Sequence, residues 1–330
     1  MKVIVFGASG YLGAKLCEHL SDSGVEVIAV LRSLPPGSGA WQAKLSSIVT
    51  GDVTEDSVFA NLRNCIADAI VYTVSLNHTE SEKDITRTLA VNVAPTWRAL
   101  DLARRIGASR FVYLSAQQVY GREYTGKITE QSPSKAANFY GLTHLLGEKI
   151  ANHYDQADGL KCISLRISSG YGKPVFKTND CWTLVVNDLC RMAIERQELR
   201  LKGTGRDERD FIHIDDIARG IRHFLTVPAD RLRGEVFNLG TGTSHTILEV
   251  ARVTSEVYQS VFGRSIPVYL GDGSVVDWAT VALKAEKRLL YSTEQLKSAG
   301  FEPNIPLRTG IRELMEYTRS GFGPLPSQQG

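Results

Sequence analysis

The chain has 330 residues, 43% hydrophobic and 22% charged, enough for one large domain or two modest ones sharing a core. That composition excludes a disordered chain. A formal net charge of only +2 gives no basic stripe or tail of the kind that nucleic acid or a membrane surface selects, so neither is expected as a partner.

Met1–Phe6 runs directly into a glycine loop, where a secretory signal would show a basic region, a longer apolar run and a cleavage site. Val3–Phe6 reads as a strand, and Leu12–Ser23 as a helix with Leu12, Leu16, Cys17 and Leu20 on one face. Strands follow at Val25–Leu31 and Ser47–Val49, the latter ending at Gly51-Asp52, then a helical segment around Val58–Cys65 and a strand at Ile70–Val74. Thr86 to Ile106 reads as one long helix containing Asn92, Phe111–Ser115 as a strand, Tyr140–Tyr154 as a long helix and Cys162–Ile167 as a sixth strand. Continuous apolar strands alternating with helices imply a parallel sheet covered on both faces, hence a doubly wound α/β (Rossmann) fold.

After about Gly172 the alternation breaks. A loop and a helix (Cys181–Glu195) precede a strand at Phe211–Ile214, a helix at Asp216–Leu225, a strand at Val236–Leu239 and a helix at Thr246–Val261, with a loose tail from Pro324. The expected division is a dinucleotide-binding domain over 1–172, to which 208–240 returns, and a smaller α+β substrate lobe formed by 173–207 and 241–330. No apolar stretch approaches the ~20 residues that cross a bilayer. Cys17, Cys65, Cys162, Cys181 and Cys190 form no C-x-x-C pair and have mostly apolar neighbours. They read as buried thiols in a reducing compartment, so a cytoplasmic location without a metal centre is expected.

Gly7-Ala8-Ser9-Gly10-Tyr11-Leu12-Gly13 lies between the first strand and the first helix. Glycines there turn the chain tightly, let backbone approach a pyrophosphate and let helix pack on strand, while the helix start offers free N–H groups to the phosphates. The second strand ends Val30-Leu31-Arg32-Ser33, without the acid that would meet the ribose hydroxyl of NAD. Arg32 suits the 2′-phosphate of NADP, so NADP is the expected cofactor and NAD the alternative; a plain solvated arginine is the competing reading of Arg32.

With these features the chain resembles the extended short-chain dehydrogenases/reductases, in particular the nucleotide-sugar epimerase/dehydratase family. The likeness covers nearly the whole chain. Gly51-Asp52-Val53 resembles the family's adenine-facing turn, and Asp68 to Ser75, with Thr73, Val74 and Ser75, the fourth strand beside the cofactor. Asn92 matches the helix asparagine that props the active site. Val112-Tyr113-Leu114-Ser115 with Val119-Tyr120-Gly121 is similar to the fifth strand and its loop, and Leu165-Arg166 through Tyr171-Gly172 to the segment nearing substrate. Gly203-Thr204-Gly205, Arg209-Asp210-Phe211-Ile212-His213, Asp215-Asp216 and Phe237-Asn238-Leu239-Gly240 resemble the sugar-nucleotide signature. By that resemblance Arg209 clamps a diphosphate, although Asp207 or Asp210 could instead hold it in a salt bridge. Asp215 and Asp216 are expected to cap the next helix, and His213 to be structural.

The family's chemistry uses a tyrosine that exchanges a proton with substrate, a lysine four residues later and a Ser or Thr on the fifth-strand loop. Tyr140 matches the tyrosine, but the lysine position is His144, the Ser/Thr position is Ala116, and the substrate-binding Asn position is Ser169. A histidine of ordinary pKa, about 6.5, is mostly neutral at pH 7 and helps the tyrosine less than a lysine. Ala116 donates nothing, Ser115 points to the opposite face if strand alternation persists, and Gln117 or Gln118 could reach the reacting oxygen. Gln117-Gln118 also stands where the family's 4,6-dehydratases carry Asp-Glu, so dehydration is disfavoured.

Three readings follow. One is an active NAD(P)-dependent 4-ketoreductase or epimerase of a nucleotide-activated sugar, with Tyr140 as acid, His144 on the ribose and Gln117 as a substitute contact. The others are a cofactor-binding protein with little turnover, serving as a regulatory or scaffold subunit, and a reductase of a non-sugar ketone. The resemblance further implies a homodimer built from the helices around Asn92–Ile106 and Tyr140–Tyr154.

Overall fold

The computed structural model describes residues 1–121, 126–158, 160–232, 235–281, 283 and 288–322. In chain order the first half comprises β1 (Lys2–Phe6), α1 (Tyr11–Asp22), β2 (Glu26–Leu31), α2 (Gly39–Gln42), β3 (Ser47–Thr50), α3 (Asp56–Leu62), β4 (Ala69–Tyr72), α4 (His78–Lys83), α5 (Ile85–Asn92), α6 (Ala94–Arg105), β5 (Arg110–Ala116), β6 (Gly126–Ile128), α7 (Phe139–Asp158) and β7 (Lys161–Ile167). The second half comprises β8 (Ser169–Tyr171), α8 (Val185–Arg196), β9 (Leu199–Arg200), β10 (Glu208–His213), α9 (Ile214–Thr226), β11 (Val236–Leu239), β12 (Ser244–Thr246), α10 (Ile247–Phe262), β13 (Val268–Tyr269), β14 (Leu289–Tyr291), α11 (Glu294–Ser298) and α12 (Leu307–Tyr317).

Seven strands form one sheet in the order β11-β7-β5-β4-β1-β2-β3, and every pair is parallel. The expected doubly wound architecture is therefore present. Both faces are buried, which is why the strands are apolar runs without polar alternation. Val3, Val5, Val27, Ala29, Val71 and Val112 face a core closed by α1 and α9. Ile4, Phe6, Ile28, Val30, Ile70 and Phe111 face the opposite core, closed by α3, α6 and α7. α9 presents Ile217, Ala218, Ile221 and Phe224 to the first core, and β11 then pairs with β7 from Val236↔Ser164 to Leu239↔Ile167.

A third core joins α8, α10 and α12 through residues such as Leu189, Val257 and Leu314. Short sheets, β12-β10-β8, β13-β9 and β14-β6, tie that layer to the rest. The single long helix expected from Thr86 to Ile106 is two, α5 and α6, parted at Val93, because Pro95 in the first turn of α6 has no N–H to continue the preceding ladder. α8 begins at Val185 and not at Cys181, since Cys181–Leu184 closes as a separate turn, Leu184 N to Cys181 O at 3.3 Å. α4 and α12 were not anticipated. Cys17, Cys162, Cys181 and Cys190 are buried, Cys65 is half-buried, and all five are free thiols. Among the described residues no helix is long and apolar enough to cross a membrane. The tail from Pro324 lies outside the described residues.

Candidate active site

The strand order reverses between β1 and β4, so a crevice opens above their carboxyl ends, the place where such sheets bind ligands. The glycine loop forms one wall of it. Gly7 has φ +79°, and a Cβ added there would stand 2.5 Å from Thr73 Oγ1, whose hydroxyl donates to Phe6 O at 2.7 Å. A Cβ on Gly13 would collide with the Gly7 carbonyl, so helix and strand pack as closely as they do only with glycine. α1 starts at Gly10 with no side-chain cap, which leaves its first amides without intrahelical partners. An uncapped helix start under a positive-φ glycine is what a pyrophosphate needs, and the loop fits a dinucleotide on this ground. Ser9 and Tyr11 serve the loop differently: Ser9 O accepts from Asn179 Nδ2 at 2.9 Å, and the Tyr11 hydroxyl donates to Gly172 O at 2.8 Å. Both bind the loop to the segment beyond β8. The half-buried Leu12 packs on the sheet core.

Arg32 is exposed at the end of β2, and Asp52 follows the neighbouring β3. Asp52 Oδ1 accepts from Thr54 N at 2.9 Å and Thr54 Oγ1 at 2.8 Å. Those bonds, with the Arg32 charge as a lesser cause, hold its carboxyl below the ordinary value. Arg32 has no ion pair within salt-bridge distance among the described residues, which leaves its fork open to an added anion. Val53 and Val74 pack against the core beneath this end of the crevice.

α7 carries Tyr140, His144 and Glu148 at four-residue spacing, one face of the helix. Tyr140 and His144 meet edge to face with ring centroids 4.5 Å apart. His144 is only 5% exposed. Its Nε2 lies 3.4 Å from Ser75 Oγ and its Nδ1 3.4 Å from the Tyr113 hydroxyl, so both ring nitrogens face protein groups. Burial lowers the His144 imidazole to about 4 and raises the half-buried Tyr140 phenol to about 12. At neutral pH the pair is thus a neutral imidazole beside a protonated phenol, without the cation that a lysine would supply. Asn92, from α5, spans the site: its Oδ1 accepts from Leu76 N at 2.8 Å and its Nδ2 donates to Thr143 Oγ1 at 3.0 Å. It ties the β4 loop to the helix bearing Tyr140.

Gln117 and Ser169 are brought together, Nε2 to Oγ at 3.1 Å. Ala116 is buried and apolar. Ser115 is turned to α7, donating to Glu148 Oε1 at 2.5 Å. Glu148 is bidentate to Arg166, at 2.9 and 2.7 Å, and both partners are almost wholly buried. Arg166 also lies over the Tyr120 ring at 4.6 Å. This ion pair went unread in the sequence, although an arginine inside the apolar strand Cys162–Ile167 and a glutamate eight residues after Tyr140 were its signal.

Arg209 stands apart on β10, exposed and opposite His245 of β12. Neither local acid holds it: Asp210 is buried, accepting from Ser168 Oγ at 2.7 Å, Thr241 Oγ1 at 2.9 Å and Gly242 N at 2.7 Å, and no ion pair to Asp207 exists among the described residues. The cap of α9 is not Asp215 or Asp216 but His213, whose Nδ1 accepts from Asp215 N at 3.3 Å. Asp215 pairs with Lys15 at 3.1 Å, and Asp216 receives Asn304 N and Ile305 N at 3.1 and 2.9 Å. His213, Asp215 and Glu313 place ligand-type atoms within 4.8 Å of one another, but Lys15 already supplies the positive charge there.

Comparison with known proteins agrees with this geometry. The NAD dependent epimerase/dehydratase family matches residues 3–240. The UDP-glucose 4-epimerase of Bacillus subtilis (strain 168) is 27% identical over 311 residues, covering 85% of this chain and 88% of its own. A dTDP-glucose 4,6-dehydratase of Streptomyces niveus is 24% identical, covering 99% and 96%. The solved UDP-glucuronic acid 4-epimerase of Bacillus cereus, in complex with UDP-glucuronic acid and NAD, superposes with a TM-score of 0.76 over 97% of this chain and 99% of that one, at 21% identity, a likeness of fold. With the sheet, the open glycine loop and the family match in agreement, the chain belongs to the NAD-dependent epimerase/dehydratase family of extended short-chain dehydrogenases/reductases.

Proposed function

We propose that the protein is an NADP-dependent reductase or epimerase of a nucleotide-activated sugar, with reduction favoured and 4,6-dehydration disfavoured. The observation that carries this reading is the Tyr140 ring packed edge to face on the buried His144 with centroids 4.5 Å apart, where burial raises the phenol and lowers the imidazole. Such a phenol is in the protonated form that donation to a reacting carbonyl oxygen requires, whereas taking a proton from a hydroxyl would first require its own ionisation. Bound at the glycine loop, the dinucleotide supplies hydride exchange at the reacting carbon. Gln117, held by Ser169, offers an amide to the reacting oxygen where Ala116 cannot. Arg32 favours a 2′-phosphate, and the exposed Arg209 fork, without an ion pair among the described residues, suits a diphosphate. Gln117-Gln118 provides no acid–base pair for dehydration.

A specific observation favours a second reading, a cofactor-binding subunit with little turnover: both nitrogens of His144 are turned to Ser75 and Tyr113. On either reading two copies pair through α6 and α7, where Trp97 is 59% exposed beside Leu146, Ile150 and Val93 in an apolar groove.

The test is a thermal-shift screen of NADPH and NADH crossed with UDP-, dTDP-, GDP- and CDP-sugars, followed by turnover of the stabilising combinations. NADPH should stabilise more than NADH, and Tyr140→Phe should abolish turnover while leaving Tm unchanged. Equal turnover in Tyr140→Phe removes the tyrosine from the reaction. A wild type that binds these ligands but turns none over, and gains activity with Ala116→Ser plus His144→Lys, supports the second reading.

A further inference from the structure

We infer that Glu82, on the short helix α4, is a positioning residue that holds Tyr140 in place by closing the start of α7. This rests on the reading that Tyr140 meets the substrate. Phe139 N donates to Glu82 Oε1 at 2.7 Å and Tyr140 N to the same oxygen at 3.4 Å. Gly141 N donates to Asn138 Oδ1 at 2.7 Å, and Leu142 N to the Asn138 carbonyl at 3.0 Å. The open amides of Phe139, Tyr140 and Gly141 are therefore taken by side-chain oxygens, and Leu142 N begins the helical ladder. α1 stands in contrast, its start lacking any side-chain cap and left for a ligand.

The capping carboxylate comes from 57 residues earlier in the chain, so α7 cannot supply it by itself. A carboxylate at this point also suits the positive end of the helix dipole. α4 is in turn fixed at its own start: Asn77 Oδ1 accepts from Glu80 N at 2.8 Å, and Asn77 Nδ2 donates to Asp180 Oδ2 at 2.8 Å. Midway, Ser81 is buried, its carbonyl accepting from Thr88 Oγ1 at 3.0 Å. From the same helix His78 packs edge-on to the Tyr140 ring with centroids 6.3 Å apart. α4 thus touches Tyr140 twice, at its backbone and at its ring.

The need for such a strut follows from the residues that this site lacks. His144 directs its ring nitrogens to Ser75 and Tyr113 and Ala116 has no donor, so neither holds the Tyr140 hydroxyl. The first turn of α7 must fix the phenol, and a frayed turn would let it swing by an ångström, which costs on the order of a hundredfold in rate. Because Asn77 reaches Asp180, in the segment leading to α8, the strut also links the placing of Tyr140 to that segment.

The experiment compares Glu82→Ala and Glu82→Gln by hydrogen–deuterium exchange and by the turnover of UDP-, dTDP-, GDP- and CDP-sugars. In Glu82→Ala, amides in the 139–142 peptide should exchange on the order of tenfold faster while the sheet strands are unchanged. Glu82→Gln, which keeps an acceptor oxygen, should restore most of the protection. Where the wild type turns over a sugar, kcat should fall at least about tenfold in Glu82→Ala with KM unmoved, and Glu82→Gln should recover it. Unchanged exchange at 139–142, exchange accelerated throughout the protein, or a raised KM with kcat intact would each overturn the inference. A wild type without turnover refutes the reductase reading instead, and the exchange result then decides the role of Glu82 alone.

Discussion

Replacing His144 with lysine perturbs the site at its most unusual point. The His144 ring is buried with its centroid 4.5 Å from that of Tyr140. An ammonium roughly 5 Å from the phenolate oxygen would stabilise the ionised form by about 3 kcal/mol at an effective dielectric of ~20. That corresponds to a fall of about 2 pKa units from the wild-type value of about 12, to which burial raises the phenol. The same ammonium would be buried with Ser75 and Tyr113 as its polar neighbours, while the nearest carboxylate on that helix face, Glu148, is committed to Arg166. A stability loss of about 2 kcal/mol, or about 4 °C in Tm, is the expected accompaniment. The assay is NMR titration of [13Cζ]tyrosine-labelled protein, the Tyr140 signal being assigned by its absence in Tyr140→Phe. A Tyr140 signal in His144→Lys that titrates no lower than in wild type would refute the electrostatic reasoning, as would a variant more stable than wild type.

Three further outcomes are expected. The folded value of His144, about 4, lies below the ordinary 6.5 because of burial, so between these values the unfolded chain binds the proton more readily. Its stabilising effect is fully present above about pH 6.5 and is lost as pH falls toward about 4, ~3 kcal/mol in all; His213, lowered by burial too, acts in the same direction. Urea unfolding of wild type and His144→Gln across that range should show the shallower acid loss in the variant, and parallel curves would contradict it. Arg32→Ala should weaken NADPH binding by at least about tenfold and leave NADH within about twofold, measured by calorimetry; equal losses would make Arg32 a general contact. Arg166→Met should cost about 3–5 kcal/mol in chemical denaturation, because Glu148 is left buried and unpaired, whereas the double change with Glu148→Leu should recover most of it. A single variant as stable as the double would show that the pair is not coupled.

The sheet was legible because its strands are buried on both faces and therefore read as uninterrupted β-branched runs between helical periods. The glycine loop was legible because backbone geometry, not side-chain choice, dictates it: Gly7 and Gly13 sit where a Cβ would strike Thr73 and the Gly7 carbonyl. Helix boundaries were harder. Pro95, in the first turn of α6, splits the expected Thr86–Ile106 helix at Val93. At the candidate site, the Tyr140–His144–Glu148 face follows from four-residue spacing alone. The contacts that decide the chemistry join residues far apart in sequence, such as Ser75 with His144 and Glu82 with Phe139. No local pattern encodes those pairings, since each depends on which loops the sheet order brings to one edge.

The most direct test of the account is calorimetric titration of NADPH into wild type and Gly10→Asp. A Cβ on Gly10 would meet only the Gly7 carbonyl, at 3.2 Å, so the variant should fold with a near-normal Tm and place its carboxylate at the uncapped start of α1. Wild type should bind, and Gly10→Asp should lose at least about a hundredfold in affinity, because the side chain takes the seat of the pyrophosphate. Undiminished NADPH binding by Gly10→Asp, or a wild type that takes up no nicotinamide nucleotide, would contradict it.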